Sequence, residues 1–132
     1  MKTLWTRVIC FVLALAAMIA VIACARTQKT PTLVQPGGVL TMKMDSYSFS
    51  PNYIRAHQGS VLTINLQNVS GSEHNLMIKN PQGKTILSHD VPAHSSATVK
   101  VDLPVAGIYD FHCDKPGHSA LGMKGRIEVA VP

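Results

Sequence analysis

The sequence predicts an all-β domain, a Greek-key β-sandwich or barrel of about eight strands, over residues 39–132. Three observations lead to this prediction. Apolar residues recur at every second position in several short segments, which is typical of half-buried strands. Gly, Pro and Asn residues separate these segments, as in turns between strands. No segment after residue 38 shows the apolar spacing of a long helix, which favours a sandwich or barrel.

The strands can be placed in chain order from this alternation. The period of two is clearest in residues 40–44, 62–66 and 99–103, where Leu, Ile, Val and Met alternate with polar residues. Five further strands are predicted at residues 53–56, 75–79, 85–89, 108–113 and 126–131. Turn residues lie between them at Gly71, 80–83, Pro92 and 104–107.

The N-terminal residues have the pattern of a secretory signal peptide. Basic residues precede an apolar run at residues 8–23, which is shorter than the roughly 20 residues of a membrane helix. The following VIAC, residues 21–24, is similar to a bacterial lipobox, whose cysteine is lipidated after cleavage. We therefore predict a signal peptide at residues 1–23 and a lipidated Cys24, with an uncleaved anchor helix as the alternative. Either anchor predicts an exported, membrane-tethered protein that faces the periplasm or the extracellular side.

A spacer is predicted between the anchor and the domain. Residues 24–38 contain two prolines and a Gly-Gly pair and show no sustained apolar period. Such a composition is typical of a flexible tether. We expect it to hold the domain, residues 39–132, off the membrane.

The net charge of +5 does not indicate a nucleic-acid partner once its distribution is considered. Four basic residues, Lys2, Arg7, Arg26 and Lys29, precede the domain. Eight basic residues then stand against seven acidic ones in residues 39–132. A nearly neutral domain is not what nucleic-acid binding requires, and we expect no such partner.

Cysteine usage points to a metal. Of the three cysteines, Cys10 lies in the apolar leader and Cys24 at the predicted cleavage point, which leaves Cys113 alone in the domain. An intradomain disulfide is therefore excluded. Coordination of a metal by its thiolate would explain a lone cysteine in an exported protein.

The segment 109–126, YDFHCDKPGHSALGMKGR, supplies most of a copper site. Cys113 is followed by His118 and then by Met123, each five positions later. A thiolate, an imidazole and a thioether suit copper, and blue-copper sites combine two His and one Cys with a weak axial Met. His74 is the candidate for the second histidine. The predicted site therefore comprises His74, Cys113, His118 and Met123 around one Cu(I)/Cu(II) ion.

Strand parity supports this choice of residues. Tyr109, Phe111 and Cys113 share one face of the predicted strand 108–113, so the thiolate would follow a buried apolar wall. His74 has the same parity as Leu76 and Ile78 and is therefore expected to point inward. His112 should face outward. We interpret the remaining histidines, which lie beside turn residues, as structural residues rather than ligands: His57, His89 and His94. Three strand methionines are interpreted as packing residues: Met42, Met44 and Met77.

Together these residues resemble the cupredoxins, or type 1 blue copper proteins, over residues 39–132. The resemblance includes the aromatic, Pro, Ile, Gly and Asn landmarks of YSFSPNYIRAHQGSVLTINLQN: Tyr47, Phe49, Pro51, Ile54, Gly59 and Asn68. The loop CDKPGHSALGM is most similar to those of the azurin, plastocyanin and auracyanin branches. It has four residues between successive ligands, whereas azurin has three before the Met and plastocyanin two before the His. The resemblance implies that Asn75 ties the two ligand loops together by hydrogen bonds.

An electron carrier is the function that these features predict. Four ligands leave no open position for a substrate, so we do not expect an enzyme. We predict a monomeric blue copper protein whose redox protein donor and acceptor dock near His118. Lys115, Lys124 and Arg126 would steer an acidic partner to that edge.

Two other functions remain open. A copper-delivery or copper-storage protein of the cell envelope would need exposed, exchangeable ligands. A red-copper enzyme of the nitrosocyanin kind would be expected to carry a carboxylate in place of Met123.

Overall fold

The computed structural model describes residues 29–132. The predicted signal peptide, residues 1–23, and the lipidated Cys24 lie outside these residues. Among residues 29–132 there is no helix that is long and apolar enough to cross a membrane.

All eight predicted strands are present, together with two short strands that were not predicted. In chain order the strands are β1 (Thr32–Leu33), β2 (Val39–Asp45), β3 (Ser48–Ser50), β4 (Tyr53–His57), β5 (Ser60–Asn68), β6 (His74–Lys79), β7 (Thr85–Val91), β8 (Ser96–Leu103), β9 (Gly107–His112) and β10 (Lys124–Ala130). The predicted all-β fold is thus confirmed.

The strands form two sheets. The larger has six strands in the order β1-β4-β10-β9-β6-β7, and the smaller has four in the order β3-β2-β5-β8. Strand β10 pairs in parallel with β4 and antiparallel with β9. In the smaller sheet β5 lies between β2, its parallel partner, and β8, its antiparallel partner.

The core lies between the two sheets and follows from the period-two pattern. Met42 and Met44 of β2 are completely buried, as are Ile64 and Leu66 of β5 and Tyr109 of β9. The intervening residues face solvent because successive side chains of a strand point to opposite sides. Each buried side chain of this size contributes about 1.5–3 kcal/mol. The packing role predicted for Met42 and Met44 is confirmed.

Gly125 permits a close approach within the larger sheet. A Cβ atom at this position would lie 2.4 Å from the ring of Phe111 and 2.3 Å from the carbonyl oxygen of Asn52. Any other residue would therefore displace the Phe111 ring, whose edge packs against the ring of Phe49. The glycine thus holds the apolar wall immediately before Cys113.

The structure differs from the predicted spacer at residues 32–34. Thr32 and Leu33 form β1, which pairs in parallel with β4. Val34 is buried, and its N–H donates to the carbonyl of Arg55 at 2.9 Å. The expectation of a flexible chain fails here because the free edge of β4 offers backbone partners and because Val34 gains burial in the core.

Candidate metal centre

Three of the four predicted ligands converge at one end of the sandwich. The ligand atoms of His74, Cys113 and His118 all lie within 4.8 Å of one another. Nδ1 of His118 lies 3.2 Å from Nδ1 of His74 and 3.4 Å from Sγ of Cys113.

The pairing of β6 with β9 brings these residues together. The two strands are antiparallel neighbours with Met77 opposite His112. The start of β6 and the end of β9 therefore lie at the same edge of the sheet, so that His74, the first residue of β6, is close to Cys113, which directly follows β9.

The loop that carries His118 is closed by its own backbone. The N–H of Cys113 donates to the carbonyl of Met123 at 3.0 Å, and the N–H of Met123 donates to the carbonyl of His118 at 3.0 Å. These bonds fix Met123 at the base of the loop, and its side chain is completely buried. Its assignment as the axial ligand remains a prediction.

Cys113 lies at the end of a buried apolar wall, as strand parity predicted. Its side chain is completely buried, like those of Tyr109 and Phe111. The backbone N–H of Asn75 donates to its Sγ at 3.3 Å. A donor directed at the sulfur stabilises negative charge there and helps the residue to act as a thiolate ligand.

His74 is held with Nδ1 toward the other ligands. Its Nε2 lies 2.8 Å from the hydroxyl of Ser70. The Ser70 proton has acceptors of its own, Oδ1 of Asn68 at 2.8 Å and the carbonyl of Ser72 at 3.0 Å. The hydroxyl oxygen can therefore accept a hydrogen bond from the Nε2–H group, which leaves Nδ1 free to bind a metal. Burial of the ring, and then its proximity to His118, lower the pKa of His74 and favour the neutral form that metal binding requires.

Asn68 fixes the turn that contains Ser70. Its buried side-chain amide donates to the carbonyls of Ser72, Val91 and Pro92 at 2.8, 3.0 and 3.0 Å. Strand β5 is thereby joined to the segment before β6 and to the end of β7. The position of Ser70, and through it that of His74, follows from this clamp.

Asn75 connects the strands beside the site rather than bonding directly to the ligand loop through its side chain. Its Nδ2 donates to Ser88 Oγ at 3.2 Å and to Asp90 Oδ1 at 2.9 Å, both on β7. The direct link from Asn75 to a ligand is its backbone N–H, which reaches Cys113.

Lys115 forms ion pairs with two carboxylates beside the site. Its Nζ donates to Glu73 and lies 3.0 Å from Asp90. Hydrogen bonds to Glu73 and then to Asp90 raise the pKa of Lys115. The structure thus does not support the prediction that Lys115 offers free positive charge to an acidic partner, because two carboxylates lie beside its ammonium group. The residue instead ties the ligand loop to the strands beside it.

The His118 side of the site is the one that reaches the surface. His118 is half-buried, whereas His74 is only 1% exposed. The ring of Tyr47 lies edge-on to the His118 ring at 5.1 Å, and the Tyr47 side chain is itself partly exposed. Leu121, in the same loop as His118, is 62% exposed. The accessible imidazole thus has apolar neighbours.

The remaining predicted positions fall outside the cluster. His89 and His94 are exposed, and His57 and His112 are half-buried. His112 lies opposite Lys124 on the outward side of the larger sheet. Ser70 is the residue of this site that sequence reasoning missed. A serine in a Ser-Gly-Ser turn carries no pattern that distinguishes it from an ordinary loop residue.

The residues present fit a copper ion. Metal bonds to imidazole nitrogen and thiolate sulfur are about 2.0–2.3 Å long, so two ligands of one ion lie within roughly 4.5 Å of each other. The distances of 3.2 and 3.4 Å satisfy this limit. Imidazole and thiolate donors also suit copper better than they suit calcium or magnesium.

Comparisons with known proteins agree with this architecture. The family described as "Cupredoxin-like domain" matches residues 11–128. None of the curated proteins compared with the chain matches it in sequence. Among solved structures, a dithionite-reduced auracyanin from Roseiflexus castenholzii is similar with a TM-score of 0.63 and 20% identity, covering 70% of this chain and 96% of that one.

Two further structures share the fold. Auracyanin A, a "blue" copper protein from Chloroflexus aurantiacus, has a TM-score of 0.58 and 22% identity, covering 70% of this chain and all of that one. The metal binding domain of the Streptococcus pneumoniae Cu(I)-exporting ATPase CopA has a TM-score of 0.57 and 12% identity, covering 77% of this chain and 99% of that one.

Proposed function

The chain belongs to the cupredoxin-like family, and on that basis we propose that it is a membrane-tethered blue copper protein that carries single electrons between redox proteins. The observation that carries the proposal is the convergence of His74, Cys113 and His118, whose ligand atoms lie within 4.8 Å at the end of a buried apolar wall. We do not expect enzyme activity.

His74, Cys113 and His118 would hold one copper ion, with Met123 as the weak axial ligand. Bound copper would supply a one-electron couple between Cu(I) and Cu(II). The chain keeps these ligands in place during such a change. Ser70 orients His74, the Asn75 N–H supports the Cys113 sulfur, and the backbone bonds of Met123 close the His118 loop. Little movement is then needed when the charge of the site changes.

Electrons would enter and leave through the His118 edge. This ligand is the more exposed of the two histidines and has Tyr47 and Leu121 as apolar neighbours. Donor and acceptor proteins would dock there, because electron transfer weakens steeply with distance. A monomer suffices for this role.

The protein would act at the outer side of a membrane. A lipidated Cys24, or alternatively an uncleaved apolar segment at residues 8–23, would tether it on the periplasmic or extracellular side.

The copper site is tested by spectroscopy of the full chain loaded with Cu(II). We expect intense blue absorption from charge transfer by the Cys113 thiolate. Cys113→Ser should abolish this absorption while the β-sheet circular dichroism persists. A colourless wild-type protein, or an unchanged spectrum in the variant, would contradict the proposal. Fast loss of Cu(I) to a chelator would favour copper delivery over electron transfer.

The docking edge is tested by the rate of electron exchange. Leu121→Asp should slow exchange with the physiological partner and leave the blue absorption intact. Val105→Asp is the matched control, because Val105 is also exposed but precedes β9 and so lies at the end opposite to Cys113. Equal rates for both variants in a stopped-flow measurement would place the exchange elsewhere.

A further inference from the structure

The outward side of the larger sheet carries an excess of positive charge. We call this side the outer sheet face; its charged side chains come from β4, β6, β7, β9 and β10 and from Lys29. Its basic residues are Lys29, Arg55, Lys79, Lys124 and Arg126, and its acidic residues are Asp90, Asp110 and Glu128, which gives +2. The other described residues carry four basic and four acidic side chains, so their net charge is zero. The net positive charge of the described residues therefore lies on this face.

Three of these cations line one surface cavity. Lys29, Lys124 and Arg126 line a cavity of about 450 Å³, together with Tyr53, Asn52 and the acidic Asp110. The Arg126 guanidinium lies over the Tyr53 ring, 4.3 Å from its centre. None of the three forms an ion pair with another described residue, since the cations that do are Lys43, Arg55 and Lys115. Three cations against the one carboxylate of Asp110 leave the lining with net positive charge, which suits an anionic partner.

The chain leaves the domain at this same face. Strand β1 is fixed to the edge of β4, and Lys29, three residues earlier, lines the cavity with Tyr53 and Arg126. Four residues lie between Cys24 and Lys29, so the Cα atoms of these two residues are at most about 18 Å apart when the segment is fully extended. If the uncleaved segment ending at Ala23 is the anchor, the span is about 21 Å. The connecting segment between membrane and domain is therefore much shorter than the spacer that the sequence predicted at residues 24–38.

We propose that the outer sheet face docks against the anionic phosphate headgroups of the membrane to which the chain is tethered. The inference rests on the proposed membrane attachment. The short connecting segment keeps the outer sheet face near the bilayer, where basic residues are attracted to anionic lipid within a screening distance of about 8 Å. The domain then has a fixed orientation rather than a free one. Lys124 and Arg126 serve this surface and not an acidic redox partner.

The test compares lysine accessibility in the full chain anchored in vesicles of phosphatidylcholine alone or of a mixture with phosphatidylglycerol. An uncharged acetylating reagent labels exposed lysines, and mass spectrometry gives the rate for each. We expect Lys29 and Lys124 to react at least about threefold more slowly on the anionic vesicles at low salt, and at equal rates when salt screens the surface. Lys84 and Lys100 are internal controls, because Lys100 lies on the other sheet and Lys84 in the turn before β7; their rates should not change.

A charge reversal provides a second test of the docking. Lys124→Glu should restore fast labelling of Lys29 on anionic vesicles, whereas Lys100→Glu, the matched control, should not. Flotation of the vesicles distinguishes a failure of the proposed membrane attachment from a failure of the proposed docking. Equal labelling in a chain that floats with both vesicle types overturns docking and leaves the tether intact, and a chain that fails to float overturns both. Protection of Lys29 and Lys124 by an acidic redox protein, but not by anionic lipid, would assign the face to a protein partner and also overturn the proposal.

Discussion

Among residues 29–132, the hydroxyl of Ser70 is the one polar group other than a ligand or the backbone that bonds directly to a predicted ligand histidine. Ser70→Ala would leave Nε2 of His74 buried without a partner, at a cost of about 1–3 kcal/mol in the free energy of unfolding. Loss of such an orienting bond typically weakens metal affinity by roughly 10–100-fold. We expect that loss in a competition assay with a copper chelator.

Controls distinguish this role from general disturbance of the turn. Ser70→Thr retains the hydroxyl and should recover most of the affinity. Ser72→Ala changes the same turn at an exposed position whose own contacts are made by its backbone. An affinity for copper that is equal in Ser70→Ala, Ser72→Ala and the wild type would show that the bond to His74 does not orient the ligand.

Met123 is expected to tune the redox potential rather than to retain the metal. Met123→Leu removes a sulfur donor that favours Cu(II) and should raise the potential, whereas Met123→Gln offers a harder oxygen and should lower it. The Leu variant should remain folded, because swaps of similar volume usually cost less than about 1.5 kcal/mol. Voltammetry measures both shifts. Met44→Leu, at an equally buried methionine, should leave the potential unchanged; shifts in the reverse order would reject the axial assignment.

Most of the candidate site could be predicted from residue types and parity. Cys113, His118 and Met123 stand close together in sequence, and the inward parity of His74 marked it as their distant partner. The Ser70 bond could not be predicted because it depends on the shape of the turn before β6. The pairing of Lys115 with Glu73 and Asp90 could not be predicted because it joins residues from different loops and strands. Such contacts depend on how the loops fold back, which local patterns do not encode.

At the level of strands, the alternation of apolar and polar residues predicted the strands that have one face in the core. The two strands that escaped prediction are β1 and β3, with two and three residues. Segments of that length are too short to show a period, and both residues of β1 are exposed. Their pairing is dictated by the free edges of β4 and β2 rather than by their own composition.

The parallel pair of β4 and β10 carries a pH-dependent contact. Glu128 accepts hydrogen bonds from the Tyr53 hydroxyl and, at 2.7 Å, from Arg55. These bonds, that of Tyr53 first, lower the pKa of Glu128 below its ordinary value of 4.5. Because the folded pKa is depressed, the stabilisation is present above pH 4.5 and is lost as the pH falls through the lower folded value.

Glu128→Gln should remove this dependence. The variant is expected to be less stable than the wild type at neutral pH, with the difference shrinking as the pH falls below 4.5. Denaturant unfolding over a series of pH values measures it. Asp102→Asn is a control on β8, where the carboxylate forms no ion pair with a described residue. A difference for Glu128→Gln that does not change with pH would contradict this account.

For the whole molecule, attachment to the membrane is expected to depend on Cys24. A single acyl chain binds a bilayer only marginally, whereas the several chains of a lipoprotein anchor hold stably. Cys24→Ser should therefore block lipid modification, which mass spectrometry of the membrane fraction would detect. Cys10→Ser, within the predicted signal peptide, should have no effect. Native protein without lipid on Cys24 would point to the uncleaved apolar segment as the anchor.

The edges of the two sheets have a consequence for crowding on a membrane. A long bare strand at a sheet edge can pair with another copy and seed aggregates. Here one edge of each sheet is a strand of only two or three residues, β1 or β3. The opposite edges carry exposed polar and charged side chains, His89 and Asp90 on β7 and Lys100 and Asp102 on β8. Many copies confined to one bilayer surface could therefore collide edge to edge without polymerising.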